Sequence, residues 1–132
     1  MSLVIQKKKP ELCPPGKAEA VIVDVIDLGY QNTFYGNKHM ISLVFETKTT
    51  NSEGLPFRLA KRVSASLHER SRLRQIIESV LDRRLLNVDL VNGVDIELLQ
   101  GKSCVIEIEH DEHNQNTYAN VVEVNGLSAG SF

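Results

Sequence analysis

The chain has 132 residues, 42% of them hydrophobic and 24% charged, with a net charge of −2 and no Trp. That is enough for one compact domain with a real core, too short for two, and unlike a disordered tail or a fibre. Near-neutral charge argues against a generic DNA-coating protein, no apolar run is long enough to span a membrane, and two distant cysteines match neither a zinc site nor a secreted disulfide framework.

Charge is unevenly spread along the chain. Residues 54–84 carry eight basic and three acidic side chains, whereas residues 85–132 carry one basic and eight acidic. The middle is basic and the end acidic.

In chain order, "KKKPELCPPG" reads as an extended, flexible basic arm over residues 1–16, because the prolines and glycine break regular structure. "MSLVIQKKKP" has its charges after its apolar residues, the reverse of a secretory signal, so a cytoplasmic location is expected. "KAEAVIVDVIDLG" is a Val- and Ile-rich strand, with Val21, Val23 and Val25 on one face and Ala20, Ile22 and Ile26 on the other. "YQNTFYGN" makes a turn, and "KHMISLVFETK" returns as the second strand of a long hairpin. "FRLAKRVSAS" is a third strand, with Phe57, Leu59, Lys61 and Val63 on one side and Arg58, Ala60 and Arg62 on the other.

Ser66-Leu67-His68-Glu69 has the spacing of a capping box, and apolar residues follow at 73, 76, 77, 80 and 81. Together they predict a helix from Leu67 to about Asp82. "NVDLVNGVDIELLQG" is a loop with a short helical turn. "KSCVIEIEH" and "TYANVVEV" form a last hairpin, and "NGLSAGSF" supplies a mobile tail over 127–132. The fold class is therefore mainly β: a five-stranded OB-fold-like Greek-key barrel over residues 17–126, with one α-helix between the third and fourth strands.

Candidate sites follow from exposure and chemistry. The hairpin tip places Tyr30, Phe34 and Tyr35 near Lys38 and His39, and aromatic rings beside a cation suit base stacking with backbone contact. Arg58 and Arg62 share a strand face with small neighbours, Lys61 points to the opposite face, and Tyr118 and Asn120 share a face of the last strand. Arg70, Arg72 and Arg74 are scattered around the helix and read as snorkelling side chains. His110 and His113 have acids between them, but a loose turn seldom presets a metal's geometry. No phosphate loop, HExxH, GxSxG or carboxylate cluster is present, so neither catalysis nor a cofactor is expected.

Three segments, "VDVIDLGYQNTFYGNKHMISLVFE", "FRLAKRVSASLHERSRLRQIIES" and "LLQGKSCVIEIEHDEHNQNTYANV", carry a resemblance covering residues 12 to about 125. In order they hold DLG, Q-x-T-x-[FY]-G-x-K-H, K-R-x-S-x-S-L-H-E-x-S-x-L-R, L-x-G-K and N-x-x-T-Y-A-N. The chain resembles a family of small phage and prophage proteins classed as single-stranded-DNA-binding, OB-fold replication or recombination proteins. The resemblance implies coating of single-stranded DNA in the host cytoplasm. It maps onto Tyr30, Phe34, Tyr35, Lys38, Lys61, Arg62, Tyr118 and Asn120, with replication or recombination proteins as partners and self-association left open. The acidic tail of cellular single-stranded-DNA-binding proteins is not reproduced: the end has Phe132 and no acid. A protein-interaction module on the same barrel is the alternative.

Overall fold

The Val- and Ile-rich segment after Pro15 becomes β1, Gly16–Thr33, which returns as β2, Gly36–Thr50, and then β3, Pro56–Ser64. The computed structural model describes residues 11–127. After β3 come helices α1, Arg72–Leu81, and α2, Asn87–Asn92, and a 3₁₀ turn, Ile96–Leu99. A final hairpin, β4 Ser103–His113 and β5 Asn116–Gly126, completes the chain. All five strands form one antiparallel sheet in the order β3-β2-β1-β4-β5. No ladder joins the end strands β3 and β5, so the sheet is not closed.

The core lies on one face of this curved sheet. Ala20 and Ile22 of β1, Ile41, Leu43 and Phe45 of β2, Cys104, Ile106 and Ile108 of β4, and Val121 and Val124 of β5 are buried there. Leu73, Ile76 and Ile77 of α1 and Leu99 of the 3₁₀ turn cover it. Burying each Val, Leu, Ile or Phe among them stabilises the fold by about 1.5–3 kcal/mol.

The alternation expected for β1 holds as far as Ile22 and then inverts. A register shift lies between Ile22 and Asp24, where the extra residue of a β-bulge turns the following side chains over. Val25 therefore packs against the core and Ile26 is 41% exposed, the opposite of a uniform period of two. Bulges leave no mark in hydrophobicity because Val23, Val25 and Ile26 are equally apolar.

α1 begins later than the Ser66 capping box predicts. Ser71 is the N-cap: its Oγ accepts a bond from the Arg74 N–H at 3.2 Å and donates to the Ser66 carbonyl at 2.7 Å. Ser66 instead closes a local turn, its Oγ accepting from the His68 N–H at 3.2 Å. Two serines competed for one cap, and the one adjacent to the apolar stripe won. The predicted helical turn before Gly101 is realised as α2 plus the 3₁₀ turn, and Gly101, with φ 86°, ends it.

Two further contacts define the edges of the domain. Within the stretch assigned to the arm, Cys13 is 2% exposed, its carbonyl oxygen lies 2.7 Å from His110 Nε2, and the Glu11 carboxylate accepts bonds from Ser52. The packed domain thus reaches back to Cys13, while Lys7, Lys8 and Lys9 and the tail from Ser128 lie outside the described residues. At the other end, β5 passes so close to α1 that a Cβ on Gly126 would sit 2.0 Å from the Ser79 carbonyl oxygen, and the Gly126 N–H donates to Ser79 Oγ at 2.9 Å.

The β4–β5 turn stores strain. Asn114 and Gln115 both have positive φ, 50° and 67°, the backbone of a primed two-residue hairpin turn in which Gly is favoured second. Gln115→Gly should raise stability by about 1 kcal/mol, read as a higher urea midpoint with an unchanged m-value.

Candidate nucleic-acid interface

Pairing with β4 stops at Val21 of β1, and pairing with β3 stops at Met40 of β2. Beyond these points Tyr30–Thr33 and Gly36–His39 pair with each other, and one further bond runs from the Ala65 N–H to the His39 carbonyl. At about 3.4 Å per residue, this two-stranded ribbon projects roughly 15 Å past the sheet.

Side chains stiffen the ribbon at both ends. Near its base, a second β1 bulge brings Asp27 Oδ1 to accept from the Gly29 N–H at 2.8 Å, and Gly29 takes φ 67°, a conformation suited to glycine. The same oxygen lies 2.6 Å from His39 Nε2, and the His39 ring stacks on Tyr30 with centroids 5.2 Å apart. At the tip, Thr33 Oγ1 donates to the Gly36 carbonyl at 2.7 Å and accepts from the Tyr35 N–H at 3.2 Å.

Between Thr33 and Gly36 stand Phe34 and Tyr35, 97% and 83% exposed, their rings perpendicular at 84°. Lys38 Nζ lies 5.7 Å from the Tyr35 ring centroid, within cation–π range.

The bonds to Asp27, first from the Gly29 amide and then from His39, hold its carboxyl below the ordinary carboxylate value. A lowered acid favours the folded state above the ordinary pKa, and that contribution is lost as pH falls through the lowered one. Acidification should therefore release the ribbon base, seen as an acid-side change in tyrosine emission that depends on Tyr30 and is lost in Tyr30→Ala. Asp27→Asn should remove that transition, and an unchanged acid titration in the variant would refute the assignment.

The outer face of β1, β2 and β3 adjoins the ribbon. Its rows run Ile26, Ser42, Arg62 and then Asp24, Val44, Ala60, with Glu46 opposite Arg58. Arg62 is exposed and has no ion-pair partner among the described residues. Arg58 donates to Glu46 at 3.1 Å, so its charge is partly answered by a neighbour.

Lys61 belongs to the inward row beside Phe57 and Val63. Its amine donates to the Val121 carbonyl at 2.9 Å, bridging the unpaired edges of β3 and β5. Burial, and then the nearby Arg72 cation, lower its pKa. This bridge sets β5 alongside β3, so Tyr118, 49% exposed, and Asn120 continue the outer surface across the seam.

The helical cations divide. Arg74 is largely buried, its Nη1 donating to the Leu67 carbonyl at 3.3 Å, and it ties the turn before α1 to the helix. Arg70 and Arg72 are exposed. His110 is engaged with the Cys13 carbonyl, and no group of metal-ligating side chains occurs among the described residues.

Sequence reasoning found the ring cluster but missed Asp27 and Ile26. Asp27 was legible only through D-x-G at a bulge, and Ile26 only once that bulge was known. No protein-family model matches the chain, and no curated protein does. Among the described residues no helix is long and apolar enough to cross a membrane.

Proposed function

We propose that the protein binds single-stranded DNA with little sequence preference, stacking bases on ribbon aromatics and holding phosphates with Lys38 and Arg62. The observation that carries this is where the aromatic residues sit. Of the chain's four Phe and three Tyr, Phe132 lies outside the described residues, Phe45 and Phe57 are buried, and Tyr30, Phe34, Tyr35 and Tyr118 are exposed. A folded protein rarely leaves most of its rings in water without a use for them, and every base offers a π-face.

The sheet order supports an OB-like reading. β3-β2-β1-β4-β5 is the order that a five-stranded Greek-key barrel would have if opened between β3 and β5, the two edges that Lys61 bridges. Such barrels bind oligonucleotides on the face of strands 2 and 3 and on the β1–β2 and β4–β5 loops. Arg58, Arg62 and the ribbon occupy the first two of these places. The resemblance to phage replication and recombination proteins adds the setting: coating of DNA in the cytoplasm of a bacterial host.

All three tyrosines are exposed, and there is no Trp, so intrinsic emission reports directly on the interface. Oligo-dT should quench it at micromolar protein, duplex of equal length should quench far less, and affinity should fall steeply with salt. Absence of quenching and of salt dependence would sink the reading. That result would favour the alternative of a protein-interaction module, for which Leu86, Val88, Val91 and Leu98, exposed around α2, are the supporting observation.

A further inference from the structure

At the tip of the ribbon Gly36, with φ 105°, takes the left-handed position of the turn, so the backbone calls for no particular residue at 34 and 35, yet both positions carry large rings in water. Stacked bases of a single strand lie parallel to one another. Two rings set at 84° with centroids 5.4 Å apart present no parallel faces, so in this arrangement a base lying flat on one ring meets the edge of the other. The pair therefore ends a stack instead of continuing it.

A stack that ends is what a duplex presents where its two strands part. We propose that the β1–β2 ribbon is a junction wedge, in which Phe34 lies flat on the last base pair of a duplex. Tyr35, engaged by the Lys38 cation, stands edge-on and turns one strand away toward the outer face of β1, β2 and β3. Inserted apolar side chains are an established way of interrupting base stacking.

A wedge must resist bending when pushed against a duplex, and the ribbon is braced for it. The Tyr30–His39 stack and the Asp27–His39 contact stiffen its base, and the Thr33 hydroxyl donates across the turn to the Gly36 carbonyl and accepts from the Tyr35 N–H within it. One cation, Lys38, stands beside the Tyr35 ring, while Asp27, the carboxylate at the ribbon base, already faces His39. The proposal rests on the single-strand reading above and adds to it the form of nucleic acid preferred.

Anisotropy titrations of the intact protein with three labelled probes test it: an oligo-dT strand, the same strand as the tail of a short duplex, and that duplex with blunt ends. The tailed duplex should bind about fivefold or more tighter than the tail alone, the gain expected from one added stack. Phe34→Ala should bring that ratio to about one, and Phe34→Trp, which keeps a planar ring, should preserve it. Melting curves of both variants check the fold, which a side chain 97% exposed should not perturb. Equal affinity of the intact protein for tail and tailed duplex would overturn the wedge and leave the single-strand reading standing. A ratio unchanged by Phe34→Ala would overturn it too. Binding of none of the probes would overturn both.

Discussion

Gly126→Ala is expected to lower stability by about 3 kcal/mol or more, and to move the thermal midpoint down by roughly 10 °C or further. The added Cβ would stand 2.0 Å from the Ser79 carbonyl oxygen and 2.9 Å from its carbon, both backbone atoms of α1. No side-chain rotation relieves that overlap; either β5 or α1 must move, and each is packed on the core. Ser79→Ala is the control. It removes the hydroxyl that accepts from the Gly126 N–H and donates to Asn125 Oδ1 at 3.5 Å, with no new overlap, a loss of about 1 kcal/mol. A loss below about 1 kcal/mol for Gly126→Ala would mean that α1 slides easily along β5.

On the proposed single-strand interface, cations and rings should separate by salt dependence. Lys38→Ala together with Arg62→Ala should reduce the slope of log affinity against log salt by about 1.4, since each single-strand phosphate that a cation neutralises adds about 0.7 to it. Tyr35→Ala should weaken binding by roughly 1–3 kcal/mol, about 5- to 150-fold, with the slope nearly unchanged. Arg58→Ala should do less than Arg62→Ala, because Glu46 already answers its charge. Titrations with oligo-dT at four or five salt concentrations measure all of these. A ring substitution that flattened the slope as much as the cation pair would refute the division of labour.

Much of this architecture was legible in the residues. Alternating Ile and Val marked each strand, turn residues marked the hairpins, and the stripe at 73, 76 and 77 marked the face of α1 that is buried. Three things were not. The inversion after Ile22 depends on a bulge, a backbone event among equally apolar side chains. The start of α1 depends on which of two serines reaches a helical N–H, and local spacing alone favoured the wrong one.

The place of Lys61 depends on a tertiary neighbour sixty residues away. Its inward direction followed from the pleat, but only the fold supplies the Val121 carbonyl that makes an inward amine tolerable. The basic stretch from Ala60 to Arg74 accordingly resolves into separate duties. Arg62 faces solvent, Lys61 bridges a seam, Arg74 ties a turn, and Arg70 and Arg72 lie exposed around α1.

The sheet order has a kinetic side. β1–β2, β2–β3 and β4–β5 are joined by short connections, so each pairing closes a small loop and can form early at little entropic cost. Only the β1–β4 ladder joins distant parts of the chain, residues 16–21 with 103–108, and it does so with six residue pairs. In folding terms the molecule is a three-stranded meander and a separate hairpin, with α1 between them in sequence. Their union along β1 and β4 is the pairing with the highest contact order and is expected to set the folding rate, and until it occurs the two halves leave unmet the apolar faces that they bury against each other.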